Sequence, residues 1–195
     1  SGALAVRLAP RGEARGTRPV QLSWTWFFCP RSRPLLASAV VVGITSSVWW
    51  AFGVDAMRAG GVDATSARVV YAVTGAASVL ASLSGAAFDR VGLRRGYLAT
   101  VALLAGSLAL FGSAVAHVSA ALPAAVLFGI MYMAIIAAQG IWSSRVFADH
   151  PAAGLAAVST ALTLGTLVGP TVAGLALDGL GYGPTLVGAA LVTLV

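Results

Sequence analysis

An all-α membrane protein with six transmembrane helices is the fold class this sequence predicts, and three observations predict it. Charged residues make up 9% of the chain and apolar residues 58%, against roughly 25% and 45–50% in soluble domains. Uncharged stretches of spanning length recur: no Asp, Glu, Lys or Arg occurs from Val69 to Phe88 or from Gly96 to Ser144. A helix crosses roughly 30 Å of hydrocarbon with about 20 apolar residues. Between those two stretches lies a charged knot, Gly85-Ala86-Ala87-Phe88-Asp89-Arg90-Val91-Gly92-Leu93-Arg94-Arg95, as expected of a short loop leaving a bilayer.

The elements follow in order. Ser1 to Arg33 carries Arg7, Arg11, Arg15, Arg18, Arg31 and Arg33 against Glu13 alone, broken by Gly and Pro. Residues 1–34 therefore read as a basic cytoplasmic linker, with Trp24, Trp26, Phe27 and Phe28 as an interfacial anchor. Residues 35–195 form the bundle. Its first helix runs from about Leu35 to Ala56, opened by Pro34, whose missing N–H is tolerated there. Gly60-Gly61 marks a turn, and the second helix covers Val69 to Phe88. The third runs from Gly96 to His117. The fourth begins near Pro123 and reaches Phe147, long enough to span with tilt. The fifth covers Ala152 to Leu177. The sixth starts near Pro184 and is cut off at Val195, so the chain reads as a piece of a longer protein.

Charge sets the orientation and excludes one class of partner. All twelve basic residues are Arg and the net charge is +6. Six precede Pro34 and three lie in the knot, the distribution of cytoplasmic membrane flanks rather than of a nucleic-acid surface. With the N-terminus inside, only Arg58 and Arg68 fall outside, close in sequence to Asp55 and Asp63. A multi-pass protein of the plasma membrane is expected, with the lipid bilayer as its first partner and no nucleic acid. Cys29 is alone and the two histidines, His117 and His150, fall in different loops. No disulfide, metal site or cofactor is expected.

A weak repeat is visible. Gly85-x-x-x-Asp89-x-x-Gly92 closes the second helix and Gly174-x-x-x-Asp178-x-x-Gly181 closes the fifth, 89 residues on; Gly43-Ile44 and Gly129-Ile130 match at an offset of 86. Copies of three helices must face opposite ways across the bilayer, so the six read as two inverted three-helix repeats.

Asp89 stands at a helix C-terminus, where the macrodipole disfavours a carboxylate by about 0.3–1 kcal/mol. Arg90, Arg94 and Arg95 are at hand to compensate. The knot is then either a charge latch that holds one conformational state or a solvated loop that only fixes topology. Gly165-x-x-x-Gly169-Pro170-x-x-x-Gly174 in the fifth helix permits close packing, and Pro170 frees a carbonyl and kinks the helix.

Gly85-x-x-x-Asp89-Arg90-x-Gly92 with Arg94 and Arg95 resembles the loop signature of the major facilitator superfamily, found after the second helix of each six-helix half. Leu93 departs from it, standing where a basic residue is common. The glycine–proline pattern of the fifth helix is similar to one in the same family. The resemblance implies half of a twelve-helix secondary transporter that moves small organic solutes by alternating access. The Arg-rich leader, and the lack of an Arg inside the fourth helix, match the C-terminal half. An N-terminal half of the same protein and a small-molecule substrate are then the partners, and the knot is the gating loop. The family's first and fourth helices line the cavity, which carried over gives Thr45, Trp49, Tyr132 and Gln139. Gln139 needs a partner or water in hydrocarbon, and interhelical hydrogen bonding serves as well as substrate contact. The stripes Tyr71, Thr74, Ser78, Ser82 and Ser159, Thr163, Thr166 read as packing faces.

No acid or base occupies the middle of a helix, so a coupling proton would titrate elsewhere. An enzyme is not expected: no His-Glu-x-x-His occurs, and Ser82-Leu83-Ser84-Gly85 only approaches a rhomboid-type serine motif. The alternative is a non-transporting membrane scaffold or assembly subunit.

Overall fold

The computed structural model describes residues 30–195; most of the basic linker, including Cys29 and the expected aromatic anchor, lies outside them. Every regular element among the described residues is helical: α1 (Arg33–Ala59), α2 (Ala64–Ser78), a 3₁₀ segment (Val79–Leu83), α3 (Ser84–Val91), α4 (Leu93–Ser113), α5 (Val118–Val146), α6 (Pro151–Leu180) and α7 (Tyr182–Thr193). The 3₁₀ segment joins α2 and α3 into one span, Ala64–Val91. With it, five spans are long and apolar enough to cross a membrane, by length and composition. The sixth, α7, has 12 residues, about 18 Å of helix.

Several boundaries correct the sequence expectation, each for a local reason. The second span starts at Ala64 rather than Val69. The Asp63 carboxylate accepts the N–H groups of Thr65 and Ser66, both at 3.0 Å, satisfying two donors that a helix start leaves orphaned. Arg68 is thus helical. Gly92 takes φ 88°, a conformation open to glycine at low cost, and α4 begins on the next residue. Arg94 and Arg95 belong to a helix, not to a loop. Pro123, expected to open the fourth helix, stands inside α5, in its second turn, where it costs one backbone bond. Pro170 does not interrupt α6, which stays helical to Leu180 and so includes Asp178.

The helices alternate in direction. Gly60 after α1 lies against Val115 and Ala116 before α5, and Gly183 of α7 against Gly112 of α4. The most extensive contacts join α1 to α6, α5 to both α2 and α4, and α4 to α7. Three of these, α4 with α7 among them, are backbone contacts through glycine. A Cβ on Gly165 would lie 3.0 Å from Gly43 Cα, and one on Gly169 would lie 3.0 Å from Ile44 Cα. Gly129 of α5 meets the Thr74 carbonyl and Ser78 N of α2 in the same way. Lipid is as apolar as a leucine core, so close packing of this kind holds spanning helices together better than burial does.

The main core is aromatic and aliphatic, built on Trp49, Leu104, Leu108, Phe111 and Phe128. Trp49 stacks on Phe128 at 4.4 Å and 10° and tilts against Phe111 at 4.4 Å. Such pairs add about 0.5–1.5 kcal/mol each beyond area. Thr45, Ser46 and Ser47 of α1 are buried, and each donates its hydroxyl to its own helix: Thr45 to Val41 O at 3.0 Å, Ser46 to Gly43 O at 3.3 Å, Ser47 to Ile44 O at 2.7 Å.

Candidate functional site

Tyr132 of α5 is half-buried, with its ring stacked on Phe128 at 5.7 Å and 9°. Trp50 of α1 meets it edge-on at 5.6 Å and meets Tyr71 of α2 at 5.7 Å. The Tyr71 hydroxyl donates to Trp50 O at 3.5 Å. Trp50, Tyr71 and Tyr132 thus form a half-exposed aromatic wall across three helices. It offers ring faces and phenolic hydroxyls, with no carboxylate and no base.

The other three residues expected to line a cavity lie inside the bundle. Thr45 and Gln139 are 1% exposed, as is Trp49 within the core. The Gln139 amide nitrogen donates to Ser38 Oγ at 3.5 Å, joining α5 to α1. Gln139 Oε1, Ser143 Oγ and Trp49 Nε1 are buried without a protein partner. Helical geometry explains the split: Trp49 and Trp50 stand about 100° apart around α1, so one ring enters the core and the other reaches the open side. Trp50 was missed because Trp49 shares a stripe with Thr45. The signal was the Trp-Trp pair itself.

The charged knot is not a loop but two helix ends hinged on Gly92. Asp89 and Arg90 occupy the last turn of α3, and Arg94 and Arg95 the first turn of α4; all four are exposed. Gly85 is half-buried with open space where a side chain would stand. Arg94 lines a cavity with Arg31 and Arg145, and Asp89 is not part of that lining. Gly165 and Gly169 carry the α1 contact, whereas Gly174 has open space around it; Pro170 is half-buried beside them, and Asp178 is exposed in the last turn of α6. Of the two polar stripes, Thr74 and Ser78 pack on Gly129, while Ser159, Thr163 and Thr166 face outward.

Neither a known protein family, nor a characterised protein, nor a solved structure matches this chain. Its chemistry is read from its own residues. No group of three His, Cys, Asp or Glu among the described residues could hold a metal. The wall suits aromatic or amphipathic neutral groups through stacking and single hydrogen bonds. The helix ends at Gly92 suit charge pairing with a neighbouring element.

Proposed function

We propose that this chain is the C-terminal six-helix half of a secondary transporter of small organic solutes, of the major facilitator kind, working by alternating access at the plasma membrane. One observation carries the reading. Exchanging the first three spans for the last three maps each touching pair of helices onto a touching pair: α1 on α6 becomes α5 on α2, α4 on α5 becomes the less extensive contact of α7 on α1, and α4 on α7 maps to itself. The matching glycines Gly43 and Gly129 sit at the equivalent backbone contacts. Gly92 and Gly181 end the equivalent spans with φ 88° and 79°. Inverted repeats nested in a six-helix half are a transporter architecture, with the solute site near the midplane.

In this reading the aromatic wall of Trp50, Tyr71 and Tyr132 contacts the solute, which favours uncharged or amphipathic substrates. Asp89 and Arg90 latch onto the N-terminal half on the cytoplasmic side and stabilise the outward-open state. The test uses the full-length protein reconstituted in proteoliposomes, with a panel of radiolabelled neutral aromatic and amphipathic solutes. Saturable flux that Asp89→Asn lowers more than tenfold, with insertion unchanged, is the expected result. Full flux in that variant removes the latch, and no protein-dependent flux for any solute favours the scaffold alternative.

A further inference from the structure

At one end of the bundle the segment before α1, the first turns of α4 and the last turn of α5 line an open cavity of about 630 Å³. Three guanidiniums line it: Arg31, Arg94 and Arg145. No carboxylate lines the cavity with them, and none among the described residues forms an ion pair with any of them. The positive end of the α4 macrodipole opens on the same space, where it disfavours further positive charge. The negative end of the α5 macrodipole lies beside Arg145 and offsets part of its charge; with no carboxylate in the lining, positive charge stays in excess.

The rest of the lining is apolar. Tyr97 and Trp142 meet edge-on at 5.6 Å and form one wall, and Leu98, 57% exposed, forms the lip. A free inorganic anion would gain nothing from these residues. We propose that the cavity holds the headgroup of an anionic phospholipid, its phosphate among the three arginines and its first acyl carbons along Leu98 and Trp142. Basic pockets between spanning helices on the cytoplasmic side suit such headgroups. Arg is also the better residue for the task, because its planar fork presents paired donors to phosphate oxygens. The arrangement gives Arg94 a role separate from that of Asp89 and Arg90, although all three belong to one short motif. It depends on membrane insertion and not on transport.

The experiment is native mass spectrometry of the full chain in a neutral detergent, titrated with dioctanoyl phosphatidylglycerol. Dioctanoyl phosphatidylcholine and inorganic phosphate run as parallel probes. One phosphatidylglycerol should bind at least tenfold more tightly than phosphatidylcholine. Arg31→Gln, Arg94→Gln and Arg145→Gln should each weaken it about fivefold, while Arg94→Lys, which keeps the charge but loses the paired donors, should weaken it less than Arg94→Gln. Arg58→Gln and Arg68→Gln, at the other end, should leave it unchanged. Lipid-free thermal midpoints within error of the parent separate lost binding from lost fold. Equal binding of the two lipids, or equal loss in the Arg58 and Arg68 controls, overturns the proposal. So does displacement of the lipid by inorganic phosphate at similar concentration, which would make the cavity a soluble-anion site.

Discussion

Single glycines divide into those that touch a neighbouring backbone and those that do not. Gly165 has no room for a side chain against Gly43, and Gly174 has nothing within reach. Gly165→Val should therefore cost about 1–3 kcal/mol or more through overpacking. Gly174→Ala should be neutral or gain up to about 1 kcal/mol, the helix-propensity difference. Thermal midpoints of the two variants in detergent check both, and equal loss would mean that the contact does not hold α1 to α6. This distinction was half legible in the sequence. The spacing of Gly165, Gly169 and Gly174, four residues and then five, announces a close face, but spacing cannot say where the partner helix diverges. The same limit separated Trp49 from Trp50: adjacent residues of identical chemistry are told apart only by which helix stands opposite.

At the scale of elements, end chemistry decides more than hydropathy. The Ser66 hydroxyl, then the Ser66 and Thr65 N–H groups, hold the Asp63 carboxyl below its ordinary value. A depressed carboxyl stabilises the fold above its unfolded pKa and stops doing so as pH falls through the folded one. The parent should thus lose part of its thermal midpoint below about pH 4, the ordinary carboxylate range. Asp63→Asn keeps a capping oxygen and should show a flatter profile over pH 7 to 3. A parallel fall in both would assign the loss to other carboxylates. Hydropathy placed the second span but put its start five residues late, because the cap and the polar turn after it carry no apolar signal. The 3₁₀ segment Val79–Leu83 was invisible for the opposite reason: its composition matches that of its flanks. Its i→i+3 bonds have poorer geometry than those of an α-helix. Amide exchange there should exceed that of α2 and α3 on either side, and uniform protection across Ala64–Val91 would remove it as a weak point.

For the whole molecule, the arginines and the alternation of helices together predict which loops share a side. In a Cys29→Ser background, His117→Cys should react with an impermeant maleimide from outside intact cells, and Asp149→Cys only after permeabilisation. Labelling of both from one side would break the proposed topology. Five of the six expected spans appear as helices of crossing length, because uncharged runs of that length have few other homes. The partner of each helix was not readable, apart from the hint in the repeated glycines, because lipid-facing and helix-facing surfaces are equally apolar. The pairing of α1 with α6 also bears on assembly in time. α1 ends at Ala59 and its main partner starts at Pro151, so at about 5–20 residues per second of synthesis α1 waits on the order of ten seconds before that partner exists. It carries Thr45, Ser46 and Ser47 through the wait, and those hydroxyls are bonded to their own helix. In the newborn helix these three hydroxyls are already satisfied, so none of them recruits a wrong neighbour.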